Sequence, residues 1–207
     1  FQVSTHPGVA ARVDKAFRGG LDMGLSGYYS RAFNNSFPYE VVNNSYMDGV
    51  TGDTFVAAFD FRYIGRNLIV RGNADYGRMA DAKAISKYKS AKGAASGSPY
   101  SDTPVGDSAL AAGVEAGYDV LSLFHPKDPE QKLYVFGRYE YYNPYIAESG
   151  QGTYNFTAKH RVAVGINWYA IPQIAVKAEY AHRFLKEGYN PEPSVSLGVC
   201  YMAFFKH

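Results

Sequence analysis

The chain has a single cysteine, Cys200, among 207 residues. One sulfur forms no internal disulfide and builds neither a thiol couple nor a cysteine-rich metal site. An excess of one charge is missing too: 21 Lys and Arg against 19 Asp and Glu leave a net +2, which argues against a nucleic-acid partner. No stretch approaches the roughly 18 consecutive apolar residues of a membrane-crossing helix. That excludes a helical membrane protein but not a barrel, whose strands are apolar on one face only. Catalytic signatures are likewise absent: there is no G-x-S-x-G, no H-E-x-x-H and no phosphate-cradling glycine loop. The five histidines are His6, His125, His160, His182 and His207, and only His160 and His182 fall near each other, at the outer ends of adjacent predicted strands. No enzymatic activity, catalytic residue, metal or cofactor is therefore expected. The sequence opens on Phe1 with neither an initiator methionine nor an export signal, which implies an upstream segment.

What the chain does have is alternation. In Thr54-Phe55-Val56-Ala57-Ala58-Phe59-Asp60-Phe61-Arg62-Tyr63, one parity reads Phe55, Ala57, Phe59, Phe61, Tyr63 and the other carries Thr54, Asp60 and Arg62. A period of two is a β-strand with one wet face. The pattern recurs in about nine segments, approximately 9–17, 21–31, 53–64, 67–77, 108–123, 133–142, 158–169, 174–183 and 194–205. Each is close to the roughly 9–11 residues that cross a bilayer when tilted. The connections alternate between short and long, as in outer-membrane barrels with tight periplasmic turns and long external loops. Aromatics on the apolar parity gather toward both ends: Tyr63, Tyr118, Trp168 and Tyr201 at the short turns, and Tyr29, Phe55, Tyr76, Tyr141 and Tyr180 at the long loops. The 19 Tyr suit a boundary where the ring is apolar and the hydroxyl wet. The expected fold class is all-β, a transmembrane antiparallel β-barrel forming one domain over 1–207. An odd strand count opening in an external loop implies that N-terminal strands are missing and that this is the C-terminal part of a barrel of about 14–18 strands. The last predicted strand ends on an aromatic, Phe205, on the apolar parity.

The stretch Arg161-Val162-Ala163-Val164-Gly165-Ile166-Asn167-Trp168-Tyr169, the turn Ile171-Pro172-Gln173 and Val176-Lys177-Ala178-Glu179-Tyr180 resemble the last hairpin of the phosphate-selective porin O/P-like family. Leu21 to Tyr29 resembles an earlier strand of that family, and Ser196-Leu197-Gly198-Val199-Cys200-Tyr201 is similar to its Bacteroidota versions. The resemblance rests on strand motifs, points to fold ancestry and gives no substrate. The barrel reading sets the expected location, the Gram-negative outer membrane, with outer-membrane lipid and lipopolysaccharide as its surroundings and a homo-oligomer (trimer) or other outer-membrane proteins as candidate partners.

The polar parity predicts the pore lining: Asp60, Arg62, Arg71, Asp75, Glu115, Asp119, Arg138, Glu140, Arg161, Lys177 and Glu179, with Asp22 and Arg183 on the same parity. Both signs occur in near-equal numbers, so phosphate specificity does not follow. Asp60/Arg62, Arg71/Asp75, Arg138/Glu140 and Lys177/Glu179 are same-strand neighbours placed to neutralise one another and brace an inner wall. The longest connection carries Arg78, Lys83, Lys87, Lys89 and Lys92, a candidate constriction or mouth loop whose plainer reading is a solvated external loop. The function expected is passive diffusion of small hydrophilic solutes or ions through an outer-membrane porin. The alternative is a barrel that serves as a structural or binding subunit of a larger transport or secretion assembly, its pore occluded by a partner.

Overall fold

A computed structural model describes residues 7–31, 49–87, 104–124, 131–153, 158–185 and 188–201. They form one nine-stranded antiparallel sheet in which every strand pairs with its neighbours in sequence. The strands are β1 (Val9–Phe17), β2 (Leu21–Ser30), β3 (Thr54–Gly65), β4 (Leu68–Met79), β5 (Ser108–Asp119), β6 (Lys132–Ile146), β7 (Lys159–Ile171), β8 (Ile174–Leu185) and β9 (Glu192–Tyr201). The nine strands do not close into a barrel by themselves. Among the described residues β1 and β9 are edges and do not pair with each other, so the sheet is open. No helix among them is long and apolar enough to cross a membrane, which says nothing of strands.

Local chemistry sets where the strands stop. Between β1 and β2 the chain reverses through Gly19 and Gly20, both at positive φ (94° and 88°), a region a side chain would make costly. Sequence places the next turn at Gly65-Arg66, but Gly65 is still paired with Leu68 and the loop is Arg66-Asn67. Both residues are left-handed (φ 51° and 62°), the geometry of a two-residue turn whose twist matches its strands. A second difference lies at the end of β5. Strand was expected through 123, yet it ends at Asp119, whose Oδ1 accepts from the backbone N–H groups of Leu121 (3.2 Å) and Leu133 (3.0 Å). That cap starts a short helical turn, Leu121–Phe124, which the alternation hid. Replacing Asp119 with Ala is expected to lower stability by about 1 kcal/mol. Denaturant unfolding of the purified variant reads that loss.

In contrast, β6 runs past its expected end at 142 to Ile146 despite Pro144. The register against β5 shifts between Ser108 and Leu110, and such an irregularity accommodates a residue that has no N–H to donate. The end of the last predicted strand, including Phe205, lies outside the described residues.

Because side chains directly opposite in an antiparallel pair share a face, the register sorts the sheet into two surfaces. One row runs Phe17, Leu21, Tyr63, Val70, Ala116, Gly137, Val164, Tyr180, Val195. A row on the other face runs Asp22, Arg62, Arg71, Glu115, Arg138, Ala163. The first face carries large apolar side chains that no other described residue covers, from Val13 and Leu25 through Val164 and Ile166 to Leu197, which is 81% exposed. Tyr63, Tyr118, Trp168 and Tyr201 lie near the short-turn ends of that face, and Tyr29 and Phe55 near its long-loop end, whereas Tyr180 is in mid-strand. Among the described residues buried apolar side chains are few and mostly small: Phe136, Ala163, Ala175 and Ala181 in the sheet, and Val50, Ala82 and Ile85 in the long connections.

Candidate functional site: the charged face

The polar parity of β4 to β8 meets in one chain of ion pairs. Arg71 bonds Glu115 (2.8 Å), Glu115 bonds Arg138 (2.5 Å), Arg138 approaches Glu179 (3.4 Å), Glu179 bonds Arg161 (2.5 Å) and Arg161 bonds Glu140 (2.6 Å). These six charged groups alternate in sign across five strands. The carboxylates at its centre are well sheltered, Glu115 being 12% and Glu179 18% exposed, while Arg71 at its end is 59% exposed. Each bond joins different strands, so the same-strand pairs expected from sequence are replaced. Residues two apart on a strand are separated by roughly 6.5–7 Å of backbone, whereas opposite Cβ atoms lie about 4.5–5.5 Å apart. Cross-strand partners therefore replace same-strand ones throughout this network. Where the residue opposite on β2, Ser26, offers no charge, Arg12 does take its own neighbour, Asp14, at 2.7 Å. It also reaches over β2 to Asp60 at 2.7 Å.

Small residues make such long reaches feasible. Arg138 on β6 reaches Glu179 on β8 across β7, where Ala163 and Gly165 occupy the intervening inward positions. Gly165 is also where the Phe136 ring lies: a Cβ there would come within 2.6 Å of its Cζ. The Arg138 guanidinium stands 5.7 Å from the centre of that ring, so an aromatic on the polar parity floors the network from below. Parity alone shows Phe136 facing inward, but only the register sets it against Gly165.

The remaining predicted residues divide. Arg62 lies opposite both Asp22 and Arg71, and makes no ion pair among the described residues. Asp75 accepts from Asn73 Nδ2 at 2.6 Å. Lys177 is exposed and flanks the network. Asp119 shares the parity but is 5% exposed and capped by backbone, so it belongs to the turn rather than to the open surface. Arg183 pairs with Glu192 on β9. Arg12, Asp14 and Glu192 are charged residues of the same face that the sequence reading left out, although β1 already shows the parity of Arg12 and Asp14. Arg62, Arg71, Asn73, Glu115, Arg138 and Glu140 line an open trough of about 440 Å³ in the middle of this face.

At the long-loop end Arg78 points to the apolar side and sits 3.7 Å from Asp107. Lys83 and Lys87 lie in a helical turn over 82–87, and Lys89 and Lys92 fall outside the described residues. On the apolar face His160 Nδ1 is 2.7 Å from Tyr139 Oη and His182 Nδ1 is 3.3 Å from Tyr180 Oη. Among the described residues no three histidine, cysteine or carboxylate side chains converge as metal ligands would. What the charged face can do is present a hydrated, sign-balanced and braced wall to small polar molecules. Neither a protein-family model nor a curated protein matches the chain.

Proposed function

We propose that this sheet is part of the wall of an outer-membrane β-barrel through which small hydrophilic solutes and ions diffuse passively. One observation carries the reading: the register gathers large apolar side chains, exposed among the described residues, onto one face of the sheet and most of the charged side chains of its strands onto the other. A soluble sheet of this size buries its apolar face against another layer, and here no second layer is present among the described residues. A lipid environment supplies that layer, with the charged face turned to a water-filled interior. The resemblance of β7, β8 and their turn to the phosphate-selective porin O/P-like family supports the same reading and the Gram-negative setting.

Closure requires further strands. Since β1 and β9 run in the same direction, an odd number of additional strands keeps every neighbour antiparallel, which suits a barrel of even count, about 14–18. These open edges also favour the second reading, a barrel wall that serves within a larger assembly and is occluded by a partner.

The test is reconstitution of the full-length protein in planar lipid bilayers. Open channels are expected, with weak selectivity from this part of the wall because its charges are nearly balanced. Reversal potentials across a salt gradient measure that selectivity. A strong anion preference abolished by neutralising Arg62, Arg71, Arg138 and Arg161 would overturn the balance argument, and silence from pure, folded protein would favour the occluded assembly.

A further inference from the structure

The long connections do more than trail from the sheet. Ile85 is 2% exposed and packs with Val50, from the connection before β3, against Met79, Ala84 and Val105. Met79 pairs with Thr54, in the row that also holds Ser30, and its side chain therefore shares the face of Arg71. This small apolar cluster thus stands on the charged side of the sheet, at the long-loop end. Asp81, left-handed at φ 59°, ties it to the connection before β3 by accepting from the Thr51 N–H at 2.9 Å.

A third connection holds the turn from outside. Glu148, between β6 and β7, accepts from the Lys83 N–H through Oε2 at 3.1 Å. Gln151 accepts from the Glu148 N–H through Oε1 at 2.8 Å. Its Nε2 donates to Ser86 Oγ at 3.3 Å and to the Val105 carbonyl at 3.2 Å. Ser86 Oγ in turn accepts from the Val105 N–H at 2.8 Å. One glutamine therefore joins both arms of the 80–107 connection to a different loop.

We propose that Glu148 and Gln151 are positioning residues: they latch the 80–87 turn over the charged face, so that the width of the mouth is set from the β6–β7 connection. The consequence for passage rests on the channel reading, while the latch itself does not. The lysines of this turn are not all free cations awaiting anions. The Lys83 N–H is part of the latch and its Nζ lies 3.5 Å from the Ser149 carbonyl.

Two measurements on the full-length protein in lipid test this. In Gln151→Met, which keeps the length and removes the amide, amide hydrogen exchange of peptides spanning 80–87 and 104–107 is expected to rise about ten-fold, with β4 to β6 unchanged. Glu148→Ala is expected to act in the same direction, so the result does not depend on one variant folding. Single-channel recording of the same proteins is expected to show higher or fluctuating conductance, a readout that a merely structural role would not move. Unchanged exchange at 80–87 in both variants overturns the latch. Raised exchange with unaltered conductance overturns its control of the mouth. If the unmodified protein does not conduct at all, the channel reading fails, and the exchange data still decide the latch.

Discussion

Replacing Phe59 with Arg is expected to destabilise the assembled protein by about 2–4 kcal/mol, the cost of a cation near the middle of a strand whose apolar face meets lipid as proposed. Phe59 lies in the interior of β3, opposite Leu25 and Ala74 on the apolar face, and no charged residue is directly opposite to receive the guanidinium. Arg62→Ala, three residues on and on the other face, is expected to leave assembly intact, since Arg62 makes no ion pair among the described residues. Folding titrations into vesicles, read by heat-modifiable gel mobility, compare the two. Equal tolerance at both positions would remove the facing assignment on which the functional reading stands.

The second large effect is expected at Glu115. Its carboxylate neutralises Arg71 and Arg138 together, and its removal leaves two guanidinium groups without their shared partner. Breaking a fully buried pair costs about 3–5 kcal/mol. Arg71 is more than half exposed and water can replace part of the loss, so Glu115→Ala is expected to cost roughly 1–3 kcal/mol. Selectivity should move with it toward anions, because the inner face gains one net positive charge. Urea unfolding and reversal potentials measure the two consequences separately. A variant as stable and as weakly selective as the parent would show that the ion-pair chain neither braces the sheet nor sets the field at its surface.

The strands were legible in the sequence because period two is written by the side chains themselves. In 54–63 Phe alternates with Asp and Arg, and β3 runs from Thr54 to Gly65. What alternation does not encode is how neighbouring strands are staggered. Arg138 and Glu140 read as partners because they share a strand and a face, yet register gives Arg138 to Glu115 and Glu140 to Arg161. Asp119 looked like one more inward carboxylate until the backbone donors of Leu121 and Leu133 claimed it. The Ile85 cluster and the Gln151 contacts were illegible for a different reason. They depend on loops distant in sequence meeting at one end of the sheet, and no local period records that encounter. Of the residues that shape the charged face, Phe136 shows this most clearly: its parity was visible, but its place over Gly165 is a matter of register.

The central claim is that one face of this sheet meets lipid and the other meets water, and neighbouring positions on β7 decide it. With Cys200→Ser as background, single cysteines at Val164 and Ile166 on the apolar face and at Asn167 on the charged face take an environment-sensitive fluorophore in the protein reconstituted into vesicles. Brominated lipid is expected to quench the label at 164 and 166 and leave 167 nearly untouched, while aqueous iodide does the reverse. Iodide reaching all three alike, or brominated lipid reaching none, would contradict the account.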